Sequence, residues 1–221
     1  MSATATVVGM LAVAAVRLTH ALLSKPPSQA LVEPGRILRQ EARIPPRPIA
    51  SLPDGERGRL VGTARGLHGT LIAPLSGRPC LYYMVLVKSV ESSGARELFT
   101  ERKGIAFALE DTTGSAIIDP ARASVTLAFD YRDELYLSDL PSPAQRALLL
   151  RNGHSPDRSD QLRFVEAVLS IGERTTVIGT GFRRPDIASP LELDYRSAPP
   201  PRLQLAASDA TPLFISSQYL P

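Results

Sequence analysis

Short apolar runs, most of them four to eleven residues long and broken by Pro, Gly, Asp or Ser, set the rhythm of the chain from Gly58 onward. RLVGTAR (59–65), CLYYMVLVKSV (80–90), ELFTE (97–101), IAFALE (105–110), SAIID (115–119) and SVTLAFDY (124–131) are strand-length and rich in β-branched and aromatic residues. Asp111-Thr112-Thr113-Gly114 joins IAFALE to SAIID with hairpin-turn residues, which puts Ile105, Phe107 and Leu109 on one face and Ala106, Ala108 and Glu110 on the other. A helix is predicted over 141–152: Ser142 caps it, Pro143 suits its first turn and Gly153 ends it. LRFVEAVLSI, ERTTVIGTGFR (173–183), LELDY (191–195), RLQLA (202–206) and LFIS (213–216) complete the strand series.

RLVGTARG (59–66) and TVIGTGFR (176–183) repeat one pattern: an apolar strand, then Gly-Thr-small, then a basic residue. Strand glycines permit the close approach or bulge that a curved sheet needs, so the pair suggests equivalent positions in a closed or two-sheet structure. The expected fold is mainly β, a closed or partly open barrel-like or two-sheet domain over 55–216 with one short helix inserted. Residues 217–221 form a tail.

Two N-terminal segments break this pattern. Residues 1–23 are apolar and carry no charge before Arg17. As a helix, 1–16 reaches only about 24 Å, whereas extension to Leu23 gives about 35 Å and takes in Arg17 and His20, which then snorkel to the interface. A cleaved signal peptide and an interfacial helix compete with this membrane anchor. The cations follow the apolar stretch instead of preceding it, which favours the anchor and places the rest of the chain on the cytoplasmic side. Residues 24–54 hold seven prolines and read as an extended, arginine-bearing linker, with room for one helical turn near 35–43.

Charge and composition remove several function classes. The net charge of +3 in 221 residues resides in the N-terminal part: residues 1–60 carry eight basic groups against four acidic, and the remainder 17 against 18. A near-neutral domain lacks the cationic surface that tracks a phosphate backbone, so nucleic acid is not the expected partner. One cysteine and three scattered histidines cannot build a zinc finger or a RING, and no metal or other cofactor is expected.

Candidate chemistry is sparse. Cys80 opens an apolar run in which Cys80, Tyr82, Met84 and Leu86 alternate with Leu81, Tyr83, Val85 and Val87, the pattern of a central strand covered on both sides, so the thiol reads as buried and structural. The GTARGLHG segment (62–69) lacks the ending of a phosphate-binding loop and reads as a turn or bulge. Arg65, His68, Arg78 and His154, in the predicted loops around 62–78 and 132–161, are the candidate partner-binding residues. No catalytic residue is assigned. Two alternatives stay open: a hydrolase or transferase using His154 and nearby acids in the 132–161 insertion, and a single-stranded nucleic-acid-binding barrel displaying Tyr82 or Phe107.

Three stretches together, GRLVGTARGLHGTLIAPLSGRPCLYYMVLV (58–87), IAFALEDTTGSAIIDP (105–120) and LRFVEAVLSIGERTTVIGTG (162–181), resemble the GIDE or BAM ("beside a membrane") domain. That domain occurs in mitochondrial membrane-anchored ubiquitin ligases and in many prokaryotic proteins. The resemblance covers roughly 50–216, including PLFIS (212–216). It implies a non-catalytic β domain tethered at a membrane, probing a protein or lipid partner there. The Cys and His inventory excludes a RING, so ubiquitin-ligase activity is not part of what it implies.

Overall fold

A computed structural model describes residues 43–92, 94–136, 138–156, 161–185 and 201–217. In chain order the strands are β1 (Pro46–Arg47), β2 (Arg57–Gly66), β3 (Leu71–Ile72), β4 (Pro79–Cys80), β5 (Tyr82–Glu91), β6 (Gly94–Gly104), β7 (Phe107–Glu110), β8 (Ser115–Asp119), β9 (Ser124–Thr126) and β10 (Tyr131–Leu135). The helix α1 (Pro143–Arg151) follows, and then β11 (Gln161–Leu169), β12 (Arg174–Pro185), β13 (Pro201–Ala206) and β14 (Phe214–Ser216). The predicted strand LELDY and the predicted leader 1–23 lie outside the described residues. Among the described residues, no helix is long and apolar enough to cross a membrane.

Five strands close into a barrel in the order β2-β7-β8-β13-β12, and β12 returns to β2. The closing contact joins the two glycine-bearing strands that share a sequence pattern: Leu60 faces Val177, Val61 faces Thr176 and Gly58 faces Gly179. Counted from β2, the ring runs first, second, third, fifth, fourth and back to first, with the third and fifth (β8 and β13) parallel and the other pairs antiparallel. This is the Greek-key connectivity of small five-stranded barrels of the oligonucleotide/oligosaccharide-binding type, a fold that fixes no ligand by itself.

The barrel interior is filled by Leu60, Phe107, Leu109, Ile118, Val177 and Leu205, all buried. Ile49 and Leu52, within the stretch read as linker, also pack into this core, while β1 pairs in parallel with β2. Leu52 sits where Gly58 and Gly181 lack side chains: a Cβ on either would come within 2.6 and 2.9 Å of its methyl carbons.

A second, four-stranded antiparallel sheet, β10-β11-β5-β6, grows from two insertions into the barrel. The β5–β6 hairpin lies between β2 and β7 in sequence, and β10, α1 and β11 lie between β8 and β12. Near the barrel, Tyr82, Ala167 and Leu169 join the barrel core. Farther out, Tyr83, Val85, Val87, Leu162 and Phe164 form a second core with Leu148 and Leu149 of α1. The helix starts as expected: the Ser142 hydroxyl accepts from the Gln145 N–H and the Gln145 side chain accepts from the Ser142 N–H, while Gly153 follows at φ 76°.

Three strand expectations need correction. The 80–90 run is broken at Leu81, whose N–H donates to the Leu169 carbonyl and whose carbonyl accepts from Ile105 N–H. The break changes the alternation, so Cys80 and Tyr83 belong to the helix-side core and Leu81 and Tyr82 to the barrel core. Nor is β5 sealed on both faces, because Leu86 and Lys88 are only half-buried. SVTLAFDY forms two short strands: β9 pairs with β14, whereas β10 begins at Tyr131 and pairs with β11. Within the 132–161 insertion the expected helix is therefore preceded by strand, β10.

Candidate functional site

Alternation along β5 and β11 decides what the second sheet shows to solvent. Val85, Val87, Leu162 and Phe164 point at α1, which puts Leu86, Lys88, Arg163 and Val165 on the opposite face. The register aligns Leu86 with Val165 and Arg132, and Lys88 with Arg163 and Glu134. Beyond the barrel no described residue covers this face, which forms a groove of about 400 Å³ with Phe129 at one side. Leu86 and Val165 make an apolar floor, and the Phe129 ring is 37% exposed.

Lys88, Arg132 and Arg163 bring three positive charges to this groove against one negative, Glu134. Glu134 Oε1 accepts from Arg163 Nε at 2.7 Å, which occupies one edge of the guanidinium. Among the described residues, neither Lys88 nor Arg132 has a carboxylate within ion-pair distance. The combination of apolar floor, aromatic edge and unneutralised cations suits an anionic ligand with an apolar part.

A second cleft, about 590 Å³ and more open, lies on the outer wall of the barrel beside β1, with Arg47, Arg65, Arg174 and Glu110 along it. Its charges are largely matched internally. Arg65 Nε lies 3.5 Å from Glu110 Oε2, and Arg47 pairs with Glu56 at 3.2 Å. Asp111, in the hairpin turn, accepts from the Thr113 hydroxyl and from the N–H groups of Ile49, Thr113 and Gly114. Burial alone would raise this carboxyl, but these donors hold it below the ordinary aspartate range. A depressed folded-state pKa contributes stability above the unfolded value of about 4 and loses it as pH falls through the folded value. Asp111→Asn is accordingly expected to lower the thermal midpoint near neutral pH and to make stability less sensitive to acid below about pH 4, as read from melts across pH.

The structure disperses the four sequence-predicted residues. Arg65 lies on the barrel wall and His68 is exposed in the turn after β2. Arg78 lies between β3 and β4, where it pairs with Asp130 and donates to the Ser76 hydroxyl. The His154 ring stacks on Phe99 with centroids 5.0 Å apart, at the far end of α1. Nearby, Glu101 is saturated by Arg151, Asn152 and the Tyr83 hydroxyl, a junction that ties β6 to the helix end. Tyr82 and Phe107 are buried, so neither offers a flat stacking face to a nucleobase.

Cys80 is fully buried beside Glu166 and Arg78. Burial first, and the Glu166 charge second, raise its thiol to about 11, against the opposing pull of Arg78. The thiol is thus protonated and covered at neutral pH, the reverse of an activated nucleophile. In the folded protein Cys80 is expected to resist alkylation at pH 8 and to react fully in denaturant, a difference that thiol titration reads directly.

The groove residues Lys88, Phe129, Arg132 and Arg163 were missed by sequence reasoning. The only signal was the apolar–basic alternation of Leu86 with Lys88 and of Arg163 with Val165, and it acquires meaning only once the three strands are in register. Comparison of the chain with protein-family models, curated proteins and solved structures gives no match.

Proposed function

We propose that this protein is a non-enzymatic recognition domain held beside a bilayer, where it binds an anionic partner on the open face of its second sheet. The observation that carries the proposal is the groove: three cations, one acid and an apolar floor on a sheet face that no described residue covers. The apolar segment 3–23, which carries Arg17 near its end and is followed by Lys25, Arg36 and Arg39, supports the tether and a cytoplasmic orientation. The resemblance to the GIDE or BAM domain supports the same reading. Recognition needs no activated side chain, which accords with a covered, protonated Cys80 and with carboxylates such as Glu101 and Asp111 whose oxygens are taken up by structural donors.

Fractionation tests the tether. The full chain is expected in the membrane fraction and resistant to salt extraction, whereas a chain with Val8→Arg and Val13→Arg is expected in the soluble fraction. Recovery of both chains in the soluble fraction would overturn it.

A further inference from the structure

We infer that the groove on the open sheet face is a binding site for the phosphate-bearing headgroup of an anionic phospholipid, an assignment that rests on the recognition role proposed above and names its ligand. Three features of the groove select this chemistry.

First, the positive charge is local. From residue 61 on, the chain carries 17 basic and 18 acidic groups, so long polyanions find no extended attractive field, while a single compact anion in the groove meets three cations and one acid. Second, the donors are placed for phosphate. Glu134 engages Arg163 through Nε, and among the described residues no carboxylate takes its two terminal NH2 groups, a pair able to grip a phosphate through two oxygens. Lys88 lies next to Arg163 in register and Arg132 one row away, across Val165. Third, free phosphate would leave the floor unused. Leu86, Val165 and the half-exposed Phe129 ring offer an apolar surface continuous with the cations, suited to the glycerol and upper acyl region of a lipid, where aromatic rings settle at membrane interfaces.

The barrel-wall cleft lacks this combination. Two of its three arginines already have carboxylate partners, and its lining sets three arginines against two acids, Glu110 and Asp111, where the groove sets three cations against one.

The test uses the full chain, kept in solution by a nonionic amphipathic polymer, titrated with water-soluble dihexanoyl phosphatidylglycerol and followed by NMR shifts and calorimetry. Dihexanoyl phosphatidylcholine, inorganic phosphate and an acidic hexapeptide serve as comparison ligands. The expected result is saturable binding of the phosphatidylglycerol with shifts at 86–88, 129–134 and 163–165. Each of Lys88→Ala and Arg132→Ala should weaken it about tenfold. Phe129→Ala should weaken the lipid but not inorganic phosphate. Equal affinity for phosphatidylcholine, tighter binding of phosphate or of the peptide than of the lipid, or unchanged affinity in the Lys88 and Arg132 variants would overturn the assignment. Monomeric short-chain lipid needs no membrane anchor to reach the groove, so this result is independent of the fractionation outcome.

Discussion

Glu166→Ala is expected to destabilise the folded protein by about 3 kcal/mol. Glu166 is fully buried on β11, and its two oxygens accept from the Leu75 and Ser76 N–H groups at 2.8 and 3.0 Å. This carboxylate is the anchor for the loop between β3 and β4, the loop that also carries Arg78 over the sheet. Removing it leaves two backbone donors without acceptors, each costing about 1–3 kcal/mol when water cannot reach it. Glu166→Gln should cost less, because its amide oxygen can still satisfy one donor while its NH2 opposes the other. Urea unfolding of both variants measures the difference. The alanine variant should also expose Cys80 to alkylation, since the released loop includes the covering segment around Ala73, which packs in the same core as Cys80. A loss below about 1 kcal/mol would mean that the loop is held by something other than this carboxylate.

The second large effect is expected at Gly62. A Cβ there would lie 2.5 Å from the Glu110 carbonyl oxygen and 2.9 Å from its carbon, both backbone atoms that cannot swing aside. Gly62→Val must therefore push β7 away from β2, at a cost of about 3 kcal/mol or more. Gly114→Ala is the control. Its added Cβ would meet only an Ile49 methyl at 3.9 Å, an ordinary contact, and thermal melts should place it close to the parent protein.

Local chemistry made much of the barrel legible in the sequence. The Asp111–Gly114 turn, the Ser142 cap with its proline and terminal glycine, and the paired Gly-Thr motifs each carry their structural cause within a few residues. Mainly β architecture followed from them, whereas closure of the barrel, one alternative beside a partly open or two-sheet domain, is decided by the β2–β12 pairing. Where tertiary pairing intervened, the reading changed. Leu81 looks like one more strand residue, but its backbone bonds to Leu169 and Ile105 break the run and reassign the faces of Cys80 and Tyr82. Ile49 and Leu52 lie among prolines and arginines that read as linker, yet both pack into the barrel core, Leu52 in the space left by Gly58 and Gly181. The groove was the least legible feature. Lys88, Arg132 and Arg163 stand about 30 to 75 positions apart, and only the register of β10, β11 and β5 places them on one surface. Arg65, His68, Arg78 and His154 drew notice as polar groups in predicted loops, a criterion blind to which face of a sheet remains uncovered.

The location of recognition can be read in one measurement. A photoreactive phenylalanine analogue is placed either at Phe129 in the groove or at Arg174 in the barrel-wall cleft of the full chain, and cells or native membranes are irradiated. Adducts carrying phospholipid from position 129, with little or none from position 174, are the expected result. Adducts from position 174 without any from 129, or no lipid adduct from either, would contradict the assignment of the open sheet face as the site where this domain meets its partner.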